Sequence, residues 1–545
     1  MHNAGAQVVP IDASLVEALL REDAFPHPAG NIELLETHIS WVVLAGNYAY
    51  KVKKPVVLDF LDFGTLEKRQ HYCEEELRLN RPWAPELYLQ VVAITGPANA
   101  PSIGGNGEIL EYAVKMLRFD QALRLDRQLA NGLLTVADMK ELGQNIAARH
   151  AAAARPDPAD RERLVRQAIH YFRENFDHLL GIIDDDECRF LRDWTERELD
   201  RHAATLRQRF DDGFVRDCHG DLHLGNLVRL PSGITTFDCI EFNADLRYTD
   251  VFADVGFLAM DLTEKDHPEL AAHFLNRYLE RSGDYEGAVL LGLYFVYRCL
   301  VRAKVAAIRS REREDEDERA ADIREAHDYS AMARRQATKC EPVLVIMHGL
   351  SGSGKTWLAE RLMAALPAIR VRSDIERKRL FGLDETADSK SPIGSGIYSP
   401  EASAETYERL FTLADSLLAA GHHVVLDAAF LKKKQRVSAR SVASSLGVDS
   451  VLVCADAPVD VLRSRIEERA TRNEGASEAD LAVLEHQLGS AARMGTDEAA
   501  IRVDTSADID INELAKTILG HRSRPGTTMA AGAESSPSKR SPSDR

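Results

Sequence analysis

The stretch HGDLHLGN at residues 219–226 decides how the first half of the chain is interpreted. Its glycines and irregular pattern argue against a helix. The residues after Asn226 read LVRL, PSG and ITTFD, which predicts two short strands joined by a turn. Asn226 and Asp238 stand six residues on either side of Ser232, so pairing of the strands brings them together at the open end of a hairpin.

The three polar side chains of this region suit phosphoryl transfer. The amide oxygen of Asn226 and the carboxylate of Asp238 are hard oxygen ligands of the kind that Mg²⁺ prefers. Asp221 lies five residues before Asn226, in a loop where it can accept or orient a hydroxyl proton. The spacing therefore predicts one group on the acceptor and two on the metal. The alternative is a turn residue at Asp221 and a cap at Asn226.

These residues resemble the H-G-D-x-x-x-x-N motif and the following metal-binding aspartate of the aminoglycoside/choline kinase branch of the protein-kinase-like fold. The resemblance implies that Asp221 is the catalytic base and that Asn226 and Asp238 hold magnesium. Two departures stand out. The glycine-rich phosphate loop is reduced to AGN at 45–47, and Asp238 is followed by Cys-Ile instead of Phe-Gly.

The resemblance extends upstream of this motif. YAYK at 48–51 is similar to the strand that carries the phosphate-binding lysine, which implies Lys51, with Lys53 on the same strand face as the alternative. CEEELRL at 73–79 is similar to the helix whose glutamate pairs with that lysine. The sequence does not distinguish between the three glutamates of this helix, which are Glu74, Glu75 and Glu76. We choose the middle one, Glu75, as the partner of the lysine.

A second signature, VLVIMHGLSGSGKTWLAERL, occupies residues 343–362. It reads as a strand, a glycine-rich loop and a helix with the spacing G-x-x-x-x-G-K-[ST] of a P-loop. Such a loop surrounds a phosphate with backbone N–H groups, the lysine reaches the outer phosphates and the hydroxyl ligates Mg²⁺. The predicted nucleotide-binding residues are Gly349, Ser351, Gly352, Ser353, Gly354, Lys355 and Thr356, with Lys355 also catalytic and Thr356 also a metal ligand.

Around this loop, short apolar runs alternate with helical stretches through residues 341–520. This alternation predicts a parallel sheet covered by helices. The runs are VLVIM (343–347), IRVRS (369–373), HVVLDA (423–428), SVLVCA (450–455) and IRVD (501–504). The fold class is therefore an α+β protein-kinase-like N-terminal domain, as the resemblance implies, followed by an α/β P-loop kinase domain with a parallel five-stranded sheet.

The second half resembles small P-loop kinases such as the gluconate and adenylylsulfate kinases and the zeta-toxin and chloramphenicol phosphotransferase group. The resemblance implies that Asp374 contacts the acceptor hydroxyl, that a lid arginine, Arg465, neutralises the transferring phosphoryl group, and that Asp427 lies near magnesium or its waters. Arg469 and Arg472 are further lid candidates. The alternatives are a helix cap at Asp374 and a solvated helix face for the arginines.

Composition limits the class of protein. The chain has 545 residues, too many for a single core, and a formal net charge of −18, which disfavours non-specific binding to nucleic acid or anionic membranes. No apolar run is long enough for a membrane span, and the first residues lack the pattern of a signal peptide. The seven cysteines form no CxxC pair, which suits a reducing cytoplasm.

Composition also predicts the domain boundaries. The stretch 304–339 is rich in both charge signs and nearly free of Gly and Pro, which predicts an exposed helix that closes the first domain. The predicted division is a phosphotransferase-like domain at 1–335, a linker at 336–340, a P-loop domain at 341–520 and a disordered Ser/Pro/Gly-rich tail at 521–545.

Together the motifs resemble bacterial chains that fuse an aminoglycoside-phosphotransferase-like domain to a P-loop kinase. The resemblance implies a cytoplasmic phosphotransferase that uses ATP and Mg²⁺ at two nucleotide sites and phosphorylates hydroxyl groups of small molecules. The alternative is one active kinase domain and one nucleotide-dependent regulatory module. A nucleic-acid end kinase is disfavoured by the acidic charge, so neither nucleic acid nor membrane is an expected partner.

Overall fold

The computed structural model describes residues 13–58, 61–338, 341–392, 394–472, 480–490 and 498–520. Their contacts divide the chain into two compact units. The first unit extends to Asp266 and resumes over Leu290–Ala337, whereas the second contains His267–Val289 and the chain from Thr338 onward.

The first unit begins with an antiparallel sheet. The strands of the described residues up to 337 are β1 (Glu33–Glu36), β2 (Ser40–Ala45), β3 (Tyr48–Lys53), β4 (Val57–Leu58), β5 (Leu61–Asp62), β6 (Tyr88–Thr95), β7 (Ser102–Ile103), β8 (Ile109–Leu117), β9 (Val215–Asp217), β10 (Leu227–Leu230), β11 (Gly233–Thr236) and β12 (Tyr248–Asp250). Six of them form one sheet in the order β1-β2-β3-β8-β6-β7, and the other six form three two-stranded pairs.

Helices dominate the rest of this interval. They are α1 (Ala13–Ala18), α2 (Leu66–Asn80), α3 (Leu125–Ala130), α4 (Val136–Ala152), α5 (Arg161–Leu179), α6 (Asp185–Asp211), α7 (Ala244–Arg247), α8 (Val251–Glu264), α9 (Pro268–Ser282), α10 (Leu291–Glu312) and α11 (Glu316–Ala337). The side chains of α8 are buried over almost its whole length because its sequence, VFADVGFLAMDLTE, is apolar nearly all round. Helix α2 begins at the cap Thr65 and packs on the six-stranded sheet.

The predicted hairpin after residue 226 is confirmed. Strands β10 and β11 pair with Leu227 opposite Thr236, and the Phe237 N–H donates to the Asn226 carbonyl at 3.0 Å. Asn226 and Asp238 therefore lie at the open end of the hairpin.

The second unit is built on the predicted parallel sheet. Its remaining elements are β13 (Val343–His348), α12 (Lys355–Ala365), β14 (Ile369–Arg372), α13 (Ser373–Leu380), α14 (Pro400–Ala419), β15 (Val424–Asp427), α15 (Lys433–Ser445), β16 (Asp449–Asp456), α16 (Val459–Arg472), α17 (Leu481–Ser490), β17 (Ile501–Asp504) and α18 (Ile511–Gly520). All pairings in the order β14-β15-β13-β16-β17 are parallel, which confirms the fold class.

The structure differs from the predicted division in one respect. Residues 267–289 precede the charged helix α11 in sequence, yet they cluster with the P-loop unit. Asn276 of α9 donates to the Ala368 carbonyl at 2.9 Å and accepts from the Arg370 N–H at 2.6 Å. Since β14 is an edge strand, these bonds satisfy backbone groups that the sheet leaves unpaired.

The other predicted boundaries are only partly described. Helix α11 continues to Ala337, so it includes the start of the predicted linker. Residues 339–340 and the predicted tail at 521–545 lie outside the described residues. Within the described ranges, no helix has both the length and the apolar character needed to cross a bilayer.

We expect Asn276→Ala to lower the free energy of unfolding of the second unit by about 1–3 kcal/mol, because it leaves a buried carbonyl and a buried N–H without partners. Urea denaturation at constant protein concentration measures this change. The matched control is Asn512→Ala at an exposed position of α18, for which a change within about 0.5 kcal/mol is expected. Equal stability of the two variants would contradict an edge-pairing role for Asn276.

Candidate active sites

The first candidate site centres on Lys51 of β3. Its ammonium donates to Glu76 Oε1 at 2.9 Å and to Asp238 Oδ1 at 2.5 Å. Burial favours the neutral amine, but the carboxylates of Asp238 and Glu76 outweigh it and hold the pKa of Lys51 well above its usual value. The structure therefore unites the lysine, the helix α2 and the end of the β10–β11 hairpin.

The prediction that Glu75 pairs with this lysine is wrong, and Glu76 takes its place. Glu75 bonds Arg78 on the outer face of α2, whereas Glu76 is fully buried. The buried residues Cys73, Glu76 and Asn80 recur at helical spacing and define the face of α2 that meets the sheet. That periodicity was a signal in the sequence that pointed to Glu76.

Lys53, the alternative lysine, lies in the same network. Its ammonium donates to Glu76 Oε2 at 2.8 Å and to Glu241 Oε1. The single carboxylate of Glu76 is thus shared between two lysines on one strand face. Only Lys51 also contacts Asp238, so Lys51 is the one closest to the predicted metal ligand. The sequence analysis did not identify Glu241.

The predicted base Asp221 lies beside Asn226 in the loop before β10. The Asn226 amide donates to the main-chain oxygen and to Oδ2 of Asp221, both at 3.0 Å. His223 Nε2 lies 3.4 Å from the same Oδ2, and 39% of the Asp221 side chain is exposed. Burial tends to raise the pKa of Asp221, but His223 overcomes it and holds that pKa well below its usual value.

Two carboxylates that the sequence analysis missed hold this loop. Asp254 of α8 accepts the N–H of His219 at 2.8 Å and that of Gly220 at 3.0 Å. Asp261, two turns later, accepts the Leu224 N–H at 2.8 Å. The only signal in the sequence was two aspartates at a spacing of seven inside an otherwise apolar helix, which places both on one face.

The predicted metal ligands are oxygen donors at one end of the hairpin. Asp238 has a φ of 64°, a strained value for a non-glycine residue, and its N–H donates to the Tyr88 hydroxyl at 3.1 Å. His219 Nε2 lies 2.9 Å from the Phe237 carbonyl and ties the loop to the residue before Asp238. The amide of Asn226 and the 42% exposed carboxylate of Asp238 fit a hard cation.

The reduced phosphate loop is a tight turn between β2 and β3. Ala45 pairs with Tyr48, so only Gly46 and Asn47 lie between the strands. Gly46 has a φ of 56°, and a Cβ there would lie 2.5 Å from the Pro28 carbonyl oxygen. A turn of this size offers few N–H groups to a phosphate.

The second candidate site is the P-loop between β13 and α12. Gly352 and Gly354 have φ values of 78° and 77°, which favour glycine. A Cβ on Gly352 would lie 2.6 Å from the Leu462 carbonyl oxygen, and one on Gly349 would lie 2.6 Å from that of Ala455. The loop therefore needs glycine for both conformation and space.

Lys355 opens α12 and is held close to this loop. Its ammonium lies 3.5 Å from the Leu350 carbonyl oxygen. Burial lowers the pKa of Lys355, while the carboxylates of Asp374 and Asp427 oppose that effect. The Ser351 N–H donates to Gln487, and the Ser353 hydroxyl oxygen is buried without a hydrogen-bond partner.

Thr356 and Asp427 meet at the end of β15. The Thr356 hydroxyl lies 3.2 Å from Asp427 Oδ1, and Asp427 Oδ2 is buried without a hydrogen-bond partner. Burial raises the pKa of Asp427, opposed first by Arg370 and Arg372 and then by Lys355. A hydroxyl and a carboxylate oxygen that lacks a partner fit a Mg²⁺ ion.

Asp374 lies in the first turn of α13, where Arg372 is the cap residue and makes no side-chain cap bond. The capping alternative for Asp374 is therefore wrong. Its carboxylate instead acts on Lys355, where it opposes the lowering of the lysine pKa by burial.

Arg465 bonds the P-loop at Gly352 and also bonds Thr505, the residue after β17. Its guanidinium lies 3.3 Å from the Gly352 carbonyl, 2.9 Å from the Thr505 hydroxyl and 2.7 Å from the Thr505 carbonyl. These contacts contradict a solvated helix face, and they give no support to a role on the transferring phosphoryl group. Arg469, one turn later on α16, is the lid candidate whose charge acts on Lys355. The side chain of Arg472 lies outside the described residues.

Comparisons with known proteins match both halves. A family model described as "Phosphotransferase enzyme family" matches residues 92–291, and one described as "AAA domain" matches residues 344–494. Over 479 residues the chain is 30% identical to the uncharacterized protein Rv2004c of Mycobacterium tuberculosis, with 87% of this chain and 92% of that protein covered. The uncharacterized protein Mb2027c of Mycobacterium bovis gives the same values.

Similarity to solved structures is more distant. A choline kinase from Cryptosporidium parvum is 13% identical, with 56% of this chain and 90% of that chain covered and a TM-score of 0.35. The Mycobacterium tuberculosis APS kinase CysC, in complex with AMPPNP and APS, is 23% identical, with 33% and 96% covered and a TM-score of 0.25.

We expect Glu76→Gln, made in a Lys355→Ala background that disables the P-loop, to weaken binding of a fluorescent ATP analogue by about 10–100-fold, because Lys51 loses the carboxylate that orients it. Glu75→Gln is the matched control and should bind like the background, since Glu75 only pairs with Arg78. A thermal melt of each variant checks folding. Weaker binding after the Glu75 change alone would restore the original assignment.

Proposed function

The chain is a phosphotransferase that belongs to the family of the mycobacterial protein Rv2004c, and we propose that it uses ATP and Mg²⁺ at two nucleotide sites of unrelated fold. Each site transfers the γ-phosphate of ATP to a hydroxyl group of a small molecule. The protein works in the cytoplasm, a proposal supported by the six described cysteines, which are all free and buried.

The observation that carries this proposal is the convergence of Lys51, Glu76, Asp221, Asn226 and Asp238. Asp221 stays ionised, so it can accept the proton of the acceptor hydroxyl. The amide nitrogen of Asn226 donates to the Asp221 carboxylate and so orients it. Lys51 keeps its positive charge and neutralises phosphate oxygens, with Glu76 fixing its position.

Asn226 and Asp238 would hold the magnesium ion of this site, and the ion would neutralise charge on the outer phosphates when bound. Since Lys51 bonds the Asp238 carboxylate, the lysine and the metal ligand are positioned by one contact.

We propose that the P-loop site likewise uses separate residues to bind the phosphates, the metal ion and the acceptor hydroxyl. The loop amides and Lys355 bind the phosphates, and Thr356 and Asp427 would hold Mg²⁺. Asp374 contacts the acceptor hydroxyl, a role supported by its closeness to Lys355. Neither site requires a covalent intermediate, because each one aligns a hydroxyl with the γ-phosphate.

The tight turn at Gly46 favours a second candidate function. With two residues between β2 and β3, the first site clamps phosphates less completely than a glycine-rich loop does. In this alternative the first unit senses nucleotide and regulates the P-loop kinase.

The test uses γ-labelled ATP, a bacterial metabolite extract and three purified proteins: wild type, Asp221→Asn and Lys355→Ala. Two independent kinases should yield two labelled products, each reduced in one variant only, with a loss of about 10²–10⁴-fold for removal of a general base. If Asp221→Asn removes no product but changes the rate of the Lys355-dependent one, the regulatory alternative holds. Absence of labelled products from wild type would contradict both.

The low pKa of Asp221 gives a pH prediction. We expect kcat/KM of the first site to keep its Asp221-dependent acid limb well below neutral pH, and His223→Leu to move that limb to higher pH, because the pKa of Asp221 rises when His223 is removed. The control is His71→Leu at an exposed position of α2, which should leave the profile unchanged. An unmoved limb in the His223 variant would rule out this electrostatic role.

A further inference from the structure

Two arginines on β14 lie next to the proposed metal ligand of the P-loop site. Arg370 and Arg372 are two residues apart, so they share one face of the strand. In the parallel pairing of β14 with β15, Arg372 is directly opposite Asp427. Arginine and a buried carboxylate in such a position commonly form a short bidentate ion pair.

The contact with Asp427 is a long one. Arg372 Nε lies 3.9 Å from Oδ2, and that Oδ2 atom is buried without a hydrogen-bond partner. Arg370 pairs directly with Glu280 of α9, and Arg372 lies between Glu280 and Asp427. Arg370 Nη2 donates to Glu280 Oε1 at 2.7 Å, and Arg372 Nη1 lies 3.7 Å from Glu280 Oε2.

Glu280 is fixed in this position. Its side chain is only 5% exposed, and Asn276, one turn earlier on the same helix face, bonds the backbone on both sides of Ile369. Glu360 lies 3.8 Å from Arg370 Nη1 but is 25% exposed, so Glu280 is the main buried partner of the two arginines.

We propose that Glu280 is a positioning residue for the P-loop metal site: it draws Arg370 and Arg372 away from Asp427 and so leaves the Asp427 carboxylate available to Mg²⁺. The inference rests on the proposed Mg²⁺·ATP site. Without Glu280, the two guanidinium groups would have the buried Asp427 carboxylate left as a partner. Pairing with that carboxylate would then be favourable for them. Mg²⁺ would then compete with an ion pair for the same oxygen atoms.

The experiment measures binding of a fluorescent ATP analogue to the full chain while Mg²⁺ is titrated, in a Lys51→Met background that isolates the P-loop site. In Glu280→Gln, we expect the Mg²⁺ concentration at half-saturation to rise about 10-fold or more. The affinity for the analogue without Mg²⁺ should change much less, because the loop amides and Lys355 are untouched. A general loss of structure would weaken both.

Two further variants sharpen the test. Asp384→Asn breaks the pair of Asp384 with Arg281, also on α9, and should leave the Mg²⁺ requirement unchanged. Glu280→Gln combined with Arg372→Gln should return the Mg²⁺ requirement toward that of the background, since the nearer guanidinium is gone. If Glu280→Gln does not fold, Arg372→Gln alone should require no more Mg²⁺ than the background.

An unchanged Mg²⁺ requirement in Glu280→Gln would overturn the inference, as would an equal rise in Asp384→Asn or a rise in Arg372→Gln alone. A background protein that binds the analogue without any effect of Mg²⁺ would contradict the proposed metal site itself and the role of Glu280 with it.

Discussion

The first unit depends on one buried carboxylate. Glu76 accepts from Lys51 and Lys53, and those lysines reach Asp238 and Glu241 beyond the hairpin. Charges removed from water are tolerated only when each one is paired, and the removal of one partner leaves an uncompensated charge. Helix α2, strand β3 and the segment after β11 are therefore held in one arrangement, because any other leaves a buried lysine or carboxylate without a partner.

The second unit also contains a buried carboxylate, Asp427, but this one is only partly paired. Asp427 accepts a hydrogen bond from Thr356 through one oxygen, and its other oxygen has only a long contact of 3.9 Å with Arg372 and no hydrogen-bond partner. A buried oxygen in this state costs free energy of folding, and such groups are usual where a ligand completes the set. In the proposed arrangement, Glu280 bonds Arg370 and keeps the two arginines from pairing closely with this oxygen. At the proposed P-loop site, this oxygen would be the one that binds Mg²⁺.

Local sequence patterns predicted the features that depend on residues close together in the chain. A loop motif with a hairpin fixed Asn226 and Asp238, and alternating strands and helices fixed the parallel sheet. The choice of Glu75 failed because it ignored the phase of α2, although the spacing of buried positions marks Glu76. Nothing local could place residues 267–289, since an amphipathic helix shows which face it buries but not against which partner.

The position of residues 267–289 determines how the two halves of the chain can be separated. The edge strand β14 takes backbone bonds from Asn276, and the arginines beside the P-loop take their carboxylate from Glu280, so both units are discontinuous in sequence. A cut between α11 and β13 would leave the P-loop half with an open sheet edge and with two arginines lacking their buried partner. The failure of such a fragment to bind nucleotide would then reflect the missing helix α9 and not an inactive loop. Substitutions that test either proposed site are therefore best made in the full chain.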